Sequence, residues 1–428
     1  MSLSYPDPKG SANLHAIEVP RRPRPSWFQM LLAVLFTIVF NAGCIFINAS
    51  HFLFLVPLKF IRMSWAAALY EDGIRGTKGA FGTLIVLVSD WFAPTTLRVT
   101  FEREGLGSFT KEEIEQILVR DEEGRIIELR LPKKLVLIAN HQMYADWWYL
   151  WCLTYFMNMH RDVLIVLKKS LKWIPVVGWG MQFFRFIFLA RSWASDRLYM
   201  TARLSALGRQ AQKEDNPFAF IIYPEGTLVS VETRPISKKY AVKLGIPDME
   251  HILLPRATGL HYSLRSLAPR VPSVRLLDIT VGYPGIPRGG YGQSYYTLRS
   301  IFLDGVPPPA IHLHLRMFDV STSVPIGDLT TSTGKSLEKT KTGVADPEAV
   351  EVDIPEHERA EFETWLRDLW KVKDRRMDEF VSKGSFTAKE AFDIPLKLRS
   401  KREIPYAFCY FGPVILGYLW LRLKQGSS

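Results

Sequence analysis

The sequence LVLIANHQMYAD at residues 135–146 joins five apolar residues to a short polar segment that carries one histidine and one aspartate. A short, continuous apolar run such as LVLIA is typical of a strand buried on both faces. Residues 144–159 then return to helical spacing with many aromatic side chains. The stretch therefore predicts a strand that passes directly into a helix, with His141 and Asp146 at the turn.

The same alternation of apolar runs and helical patterns continues along the chain. Further strands are predicted at residues 162–167, 218–223, 252–254, 276–282 and 310–320, and helices at residues 193–213 and 361–382. Alternating strands and helices indicate an α/β fold with a mostly parallel sheet flanked by helices. In such sheets, ligands bind beyond the carboxyl ends of the strands.

Composition narrows the class of partner. The chain has 428 residues, 47% of them hydrophobic, and a formal net charge of +11. So basic a protein suits nucleic acid, anionic lipid or the phosphates of coenzyme A, but no zinc-finger spacing or RNA-binding aromatic signature is visible, and we expect no nucleic-acid partner. The three cysteines (Cys44, Cys152 and Cys409) form no CxxC pair, which disfavours a structural zinc site or a disulfide framework.

Three apolar stretches predict contact with a membrane. Residues 27–58 contain no Asp, Glu, Lys or Arg, and a crossing needs about 20 apolar residues. We interpret them as a tilted anchor helix followed by an interfacial segment, or as a re-entrant pair. Residues 79–94 are expected to lie against the membrane, and residues 405–421 to form a short C-terminal anchor or an interfacial helix.

These patterns divide the chain into eight segments. They are a polar basic tail (1–26), a membrane anchor (27–58), a connecting region (59–130), a catalytic core (131–270), a strand-containing extension (271–329), a polar mobile linker (330–356), a charged helical region (357–403) and a C-terminal membrane segment (404–428).

The first chemical constellation is His141 with Asp146. An aspartate five residues on, in the first helical turns, can accept a hydrogen bond from one ring nitrogen, so that the other nitrogen can act as a general base. The spacing alone is weak, because His314 and Asp319 share it within an alternating strand, where positions i and i+5 point to opposite faces. A satisfied structural histidine is the alternative.

The second constellation is YPEGTL at residues 223–228, directly after a predicted strand. Gly226 allows a ligand to approach the backbone closely. Thr227 and free N–H groups can hold phosphate oxygens, and Glu225 can orient a hydroxyl or a basic side chain. An ordinary strand-to-loop turn is the alternative.

Further candidates are cations at predicted strand ends: Lys168, Lys169, Arg191 and Arg256, the last after Pro255. Arginine suits bidentate contact with phosphate, although each alone also fits a solvated surface charge. No GxSxG, HExxH or Walker A motif is present, which disfavours a serine hydrolase, a zinc protease and a P-loop enzyme. No metal ligand is predicted.

Taken in order, these constellations resemble the four motif blocks of the 1-acylglycerol-3-phosphate acyltransferase family. The blocks correspond to residues 140–146, 178–191, 225–227 and 255–256, within a resemblance that covers about residues 130–260. The strings IPVVGWGMQ and WLRDLWKVKD resemble the eukaryotic branch that contains lysocardiolipin and lysophosphatidylinositol acyltransferases. Two residues depart from the pattern: Leu228 stands where the family often has arginine, and Arg185 where many members have glycine.

The resemblance implies that His141, oriented by Asp146, deprotonates a lysophospholipid hydroxyl, which attacks the thioester of acyl-CoA directly. Acyl-CoA is then a co-substrate, and no cofactor is expected. Substrate-binding roles are implied for Asn140, Lys168, Lys169, Arg191, Glu225, Gly226, Thr227, Pro255 and Arg256.

The expected partners are the bilayer, a lysophospholipid acceptor and the acyl-CoA donor. The expected location is the endoplasmic reticulum membrane, with mitochondrial and lipid-droplet membranes as alternatives and the core facing the cytosol. The acceptor is lysophosphatidic acid or a related lysophospholipid. Rival hypotheses are an enzyme specific for lysophosphatidylinositol or lysocardiolipin, a transacylase, and a catalytically silent lipid-binding scaffold.

Overall fold

The computed structural model describes residues 13–190, 192–329, 335–336, 350–351 and 354–409. The strands are β1 (Thr96–Phe101), β2 (Leu118–Arg120), β3 (Ile126–Leu129), β4 (Lys134–Ala139), β5 (Val163–Lys168), β6 (Ile187–Leu189), β7 (Phe218–Ile222), β8 (Arg275–Gly282), β9 (Ala310–Asp319), β10 (Lys335–Ser336), β11 (Val350–Glu351) and β12 (Ala391–Pro395). The α-helices are α1 (Trp27–Ser50), α2 (Val56–Leu58), α3 (Ser64–Phe92), α4 (Lys111–Ile117), α5 (Asp146–Phe156), α6 (Val177–Phe183), α7 (Trp193–Glu214), α8 (Arg234–Leu244), α9 (Ala257–Leu267), α10 (Gly292–Tyr295), α11 (Leu298–Phe302), α12 (Val320–Ser323), α13 (Glu356–Lys383) and α14 (Ile404–Ala407).

The central sheet has eight strands in the order β12-β1-β9-β8-β4-β7-β5-β6. Five neighbouring pairs run parallel, and the β12–β1 and β8–β9 pairs run antiparallel. Every apolar residue of β4 and β7 is buried, as expected for strands covered on both faces. The predicted α/β fold with a mostly parallel, helix-flanked sheet is confirmed.

The N-terminal apolar segment forms one long helix that folds back against α3. A π-helical turn at residues 51–55 joins α1 to α2, and Trp27–Leu58 is the one helix in the described residues that is long and apolar enough to cross a membrane. Gly43 lies against Leu84, and Gly73 against Leu55, so α1 and α3 run antiparallel. Two polar residues of the apolar segment face the protein: Asn48 donates to the Val176 carbonyl at 2.9 Å, and His51 lies 2.8 Å from the Thr77 hydroxyl.

The prediction that residues 79–94 lie against the membrane is wrong. Ala80 and Leu84 to Val88, which belong to α3, are at most 1% exposed. Ser89 accepts a hydrogen bond from Trp148 of α5 at 2.9 Å. This half of α3 is apolar because it packs inside the protein, where it supports the helix that follows His141.

The strand predicted at residues 252–254 is also wrong. This segment is a loop whose backbone N–H groups donate to side chains instead of to a neighbouring strand. Ile252 donates to Asp374, Leu253 to Glu225 and Leu254 to Ser237, each at 3.2 Å. The apolar side chains are buried, and burial without pairing produces the same short apolar run as a strand.

The C-terminal part fits the predictions only partly. The helix predicted at residues 361–382 is confirmed by α13, which buries Leu366, Leu369 and Trp370, but β12 follows within the region predicted to be helical. Most of the predicted linker and residues 410–428 of the predicted C-terminal membrane segment lie outside the described residues.

Candidate active site

The carboxyl ends of β4, β5, β6, β7 and β8 lie at one edge of the sheet, because these strands run parallel to one another. His141 follows β4, Lys169 follows β5, Tyr223 follows β7 and Tyr283 follows β8. The fold thus gathers at one edge residues that are up to 142 positions apart in the sequence. This edge is where the parallel-sheet rule places ligands.

His141 and Asp146 form a short contact. The Nδ1 atom of His141 lies 2.7 Å from an Asp146 carboxylate oxygen, Oδ2. Asp146 is the first residue of α5, so the strand-to-helix turn brings the two side chains together. The Nε2 atom of His141 makes no hydrogen bond with any described residue, and the side chain is 19% exposed.

Asp146 is fixed by three further hydrogen bonds. Its Oδ2 accepts the backbone N–H groups of Gln142 at 2.7 Å and Met143 at 3.1 Å. Its Oδ1 accepts the hydroxyl of Tyr283 at 2.6 Å. Burial raises the pKa of Tyr283 well above its usual value, so this phenol remains a donor. Tyr283 was missed by the sequence analysis, and its one signal was its position directly after a predicted strand.

The imidazole of His141 also packs against an aromatic ring. The ring of Tyr223 stacks on it, with centroids 4.4 Å apart and an angle of 24° between the planes. Tyr223 belongs to the YPEGTL string, whose pattern predicts no role for this side chain. Stacking and the bond to Asp146 together restrict the rotation of the imidazole.

Glu225 lies inside the protein beneath the His141 turn. One carboxylate oxygen accepts the backbone N–H of His141 at 3.3 Å and the indole N–H of Trp370 at 3.4 Å, and the other accepts the N–H of Leu253 at 3.2 Å. Burial raises the pKa of Glu225 to about 8, although its three hydrogen bonds and the nearby Lys373 favour the charged form. Its contacts tie together the His141 turn, the 252–254 loop and α13.

The neighbouring residues of the second constellation complete a tight turn. Gly226 has φ of +71° and donates its N–H to the Tyr223 carbonyl at 2.9 Å. That conformation favours glycine. Two residues beyond Thr227, the N–H of Val229 donates to the His141 carbonyl at 2.9 Å. Thr227 therefore lies on a loop that is bonded to the His141 turn.

Asn140 and Pro255 are both buried, and neither faces solvent. The Asn140 side chain donates to the Val281 carbonyl at 2.9 Å and accepts the Val281 N–H at 2.8 Å. This exchange extends the β4–β8 ladder beyond the last strand residue. Asn140 thus supports the edge of the sheet, and the predicted substrate contacts of Asn140 and Pro255 remain predictions.

The four predicted phosphate-binding cations have different positions. Lys168 and Lys169 are exposed at the end of β5, and Lys169 lines a cavity of about 400 Å³. Arg256 is exposed immediately before α9, and its Cδ atom lies beside Gly226. Arg191 lies outside the described residues.

Arg185, one of the two departures from the family pattern, has φ of +59°. A left-handed backbone costs a non-glycine residue energy, so a glycine would suit this position. The turn is kept here with an arginine side chain, which forms an ion pair with Glu71. Leu228, the other departure, is buried and contributes no charge to the site.

The second histidine with the same spacing behaves differently. His314 lies inside β9, 3.0 Å from the Thr100 hydroxyl, whereas Asp319 pairs with Arg275 at 2.6 Å. The prediction that His314 and Asp319 do not form a pair is confirmed. The site at the sheet edge instead presents a partly exposed imidazole whose Nδ1 is held by a buried carboxylate. Such an arrangement can take a proton from a bound hydroxyl.

Comparison with known proteins identifies related acyltransferases. Residues 119–265 match the family model described as Acyltransferase, and residues 350–405 match Acyltransferase C-terminus. The chain is 33% identical to a 2-acyl-1-lysophosphatidylinositol acyltransferase of Saccharomyces cerevisiae over 74% of this chain and 77% of that protein. It is 30% identical to an uncharacterized acyltransferase of Schizosaccharomyces pombe, covering 86% and 90%. It is also 31% identical to Lysocardiolipin acyltransferase 1 of Danio rerio, covering 61% and 55%.

Proposed function

Because this chain belongs to the 1-acylglycerol-3-phosphate O-acyltransferase family and is an acyltransferase, we propose that it transfers an acyl group from acyl-CoA to the hydroxyl of a lysophospholipid. The observation that carries this proposal is the 2.7 Å contact between His141 and Asp146, which leaves Nε2 of the imidazole available. The family relationship by itself supports acylation of lysophospholipids; the donor and the roles of the residues are part of the proposal.

In the proposed reaction, Nε2 of His141 accepts the proton of the acceptor hydroxyl. The oxygen attacks the thioester carbonyl carbon, the C–S bond breaks, and the coenzyme A thiolate leaves with the proton returned by His141. Asp146 keeps Nδ1 protonated and stabilises the imidazolium while it carries the proton. No acyl-enzyme is needed, because the acceptor itself is the nucleophile.

Two groups of residues support binding in this proposal. In this proposal Thr227 and backbone N–H groups of the 223–228 turn bind polar groups of the acceptor, and the buried Glu225 fixes this turn relative to the His141 turn. Lys168, Lys169, Arg191 and Arg256 are the proposed contacts for substrate phosphates. Phosphate esters are strong acceptors for such charge-assisted bonds.

The acceptor that we propose to test first is lysophosphatidylinositol, because the similar yeast protein carries that substrate in its name. The exposed apolar side of the N-terminal helix supports action at a membrane surface, where a lysolipid resides. The endoplasmic reticulum is the membrane we propose, with the catalytic edge on the cytosolic side.

The test is an acyl-transfer assay with purified protein in liposomes. Labelled oleoyl-CoA would be offered with lysophosphatidylinositol, lysophosphatidic acid or monolysocardiolipin, with His141→Ala as the control. We expect transfer to at least one acceptor, strictly dependent on oleoyl-CoA and lost in the control. Transfer from labelled diacyl phospholipid without acyl-CoA would instead identify a transacylase, and a folded wild type inactive with every pair would contradict the proposal.

A further inference from the structure

The segment that precedes the N-terminal helix lies against a loop of the candidate site. It is described from residue 13 onwards and forms two short 3₁₀ turns. A Cβ added at Gly285 would lie 2.7 Å from the imidazole of His15 and 3.0 Å from the Cα of Ala16. The segment is therefore in direct contact with the loop that follows β8. Residues 13–22 are called the N-terminal strap below.

Arg22 fastens the strap. Its guanidinium donates from Nε to the Ile17 carbonyl at 2.9 Å and from Nη2 to the Tyr295 carbonyl at 2.5 Å. The first bond folds the strap on itself, and the second joins it to α10. Among the described residues, no carboxylate forms an ion pair with Arg22, and burial lowers its pKa. Removing a cation from water costs free energy, which these carbonyl bonds offset.

Arg22 differs in this respect from its basic neighbours. Basic residues beside a membrane helix ordinarily face the lipid headgroups. Arg21 and Arg24 are exposed and fit that role. The Arg22 side chain is instead half-buried and is directed to backbone carbonyls of the protein. Its use is therefore internal.

The helical turn α10 carries this contact on to the His141 turn. A Cβ at Gly292 would collide with the carbonyl of Gln142, the residue that follows His141. The two backbones therefore pack directly on each other. Tyr295, whose carbonyl Arg22 binds, is three residues from Gly292 in the same turn. Arg22 thus fixes the position of the element that lies against the His141 turn.

The strap also joins this element to the helix with the exposed apolar face. Residues 23–26 alone separate Arg22 from α1, whose first residue, Trp27, is 86% exposed. Further along α1, Phe36 stacks on Phe302 of α11, with ring centroids 4.6 Å apart. A lysophospholipid resides in the bilayer that α1 is proposed to contact, whereas acyl-CoA arrives from water. The position of α10 beside α1 therefore corresponds to the acceptor.

We propose that Arg22 is a positioning residue for the lysophospholipid, because it fixes α10 as the acceptor-side wall of the site. The inference rests on the proposed function, in which the acceptor comes from the bilayer beside α1. The requirement is geometric, since the Ile17 and Tyr295 carbonyls belong to different segments and are bound by two nitrogens of one rigid fork. A lysine at position 22 would keep the charge but has a single donor nitrogen.

The test combines steady-state kinetics and amide hydrogen exchange on liposome-bound Arg22→Gln, Arg22→Lys and Arg21→Gln. Arg21→Gln is the matched control, because Arg21 forms only an exposed ion pair with Glu18 at 3.4 Å, and such pairs contribute little. We expect KM for the lysophospholipid to rise about tenfold in both Arg22 variants, the usual effect of losing a charge-assisted hydrogen bond, with kcat and KM for oleoyl-CoA unchanged. Exchange at residues 292–296 should rise in the same two variants, and Arg21→Gln should match wild type.

The outcomes separate this inference from the proposed function. Full recovery of KM in Arg22→Lys would show that charge matters and the two-carbonyl bridge does not, and would overturn the inference. An unchanged KM for the lysophospholipid in Arg22→Gln, or an equal rise in KM for oleoyl-CoA, would also overturn it. In a wild type that requires His141, the proposed function would then stand.

A wild type that transfers no acyl group would instead count against the proposed function. Exchange at residues 292–296 and binding of lysophospholipid would then be compared between Arg22→Gln and Arg21→Gln. Weaker binding with faster exchange in Arg22→Gln alone would support the role of Arg22, and equal values in the two variants would overturn it.

Discussion

At the scale of single residues, the site depends on side chains that hold Asp146 as much as on the His141 pair. Tyr283 donates to the Asp146 oxygen that does not face the imidazole, at 2.6 Å. Together with the hydrogen bonds from the N–H groups of Gln142 and Met143, this bond fixes the orientation of the buried carboxylate. Tyr283 is therefore a positioning residue for the proposed base.

We expect Tyr283→Phe to lower kcat by about tenfold with little change in KM, because an Asp146 oxygen loses its partner inside the protein. Tyr296→Phe is the matched control, since the Tyr296 hydroxyl is also hydrogen-bonded, to the Pro284 carbonyl at 2.6 Å, but does not contact Asp146. Both variants should lose similar thermal stability. Equal kcat values in the two variants would show that Tyr283 is only structural.

The buried carboxyl of Glu225 is expected to make the free energy of unfolding depend on pH. Burial raises its pKa from 4.5 to about 8, so between these values the folded state binds a proton that the unfolded state releases. The contribution of Glu225 to stability is complete below about pH 4.5 and declines as the pH rises toward 8. Lys373, whose pKa burial lowers to about 8, gives the opposite slope only above that pH.

The measurement is the free energy of unfolding by denaturant at pH 5 and pH 8 for wild type and Glu225→Gln. Wild type should lose more stability than the variant over this interval, because glutamine does not titrate. Parallel pH profiles for the two proteins would mean that Glu225 keeps an ordinary pKa in the fold.

At the scale of elements, α13 hydrogen-bonds to a loop beside the candidate site. Asp374 accepts the backbone N–H groups of Glu250 at 2.9 Å, His251 at 2.8 Å and Ile252 at 3.2 Å. Trp370 of the same helix contacts Glu225. The part of the chain that matches Acyltransferase C-terminus therefore orders the 250–254 loop. Glu225 joins this loop to the His141 turn.

We expect Asp374→Asn to raise amide hydrogen exchange at residues 250–252, because one carboxylate oxygen is replaced by a donor that cannot accept these bonds. Asp368→Asn is the control on the same helix, where the exposed carboxylate pairs with Lys371 at 2.8 Å. The role given to Asp374 fails if exchange at the loop is the same in both variants.

The exposed apolar face of the N-terminal helix predicts contact with a membrane. Its outer side exposes apolar residues, among them Val34 and Ile38, which are 56% and 59% exposed. A charged side chain in hydrocarbon costs roughly 2.5–3.5 kcal/mol. Val34→Lys with Ile38→Lys should therefore weaken binding to liposomes in flotation experiments without lowering thermal stability. Val242→Lys, at an exposed apolar position on α8, serves as control, and equal flotation of all proteins would exclude lipid contact by this face.

At the scale of the whole molecule, the features that could be predicted from the sequence are those encoded locally. β4, β5, β7, β8 and β9 have continuous or alternating apolar patterns, and His141 and Asp146 are brought together by a single turn. β1 and β12 were missed, because their pairing joins residues 96–100 to residues 391–395 and depends on tertiary contact. Tyr283 contacts Asp146 from 137 residues further along the chain, and Trp370 contacts Glu225 from 145 residues further along. A local sequence pattern cannot predict contacts at such separations.

The proposed role of His141, held by Asp146, as the base of the acyl transfer can be tested by comparing the two HxxxxD pairs of this chain. The kcat/KM for acyl transfer would be measured in Asp146→Asn and in Asp319→Asn, with His141→Ala beside them. We predict that His141→Ala and Asp146→Asn lose at least about a hundredfold, the contribution of a positioned base, while Asp319→Asn stays near wild type. Comparable activity in folded His141→Ala, Asp146→Asn and wild-type protein would show that His141 is not the base.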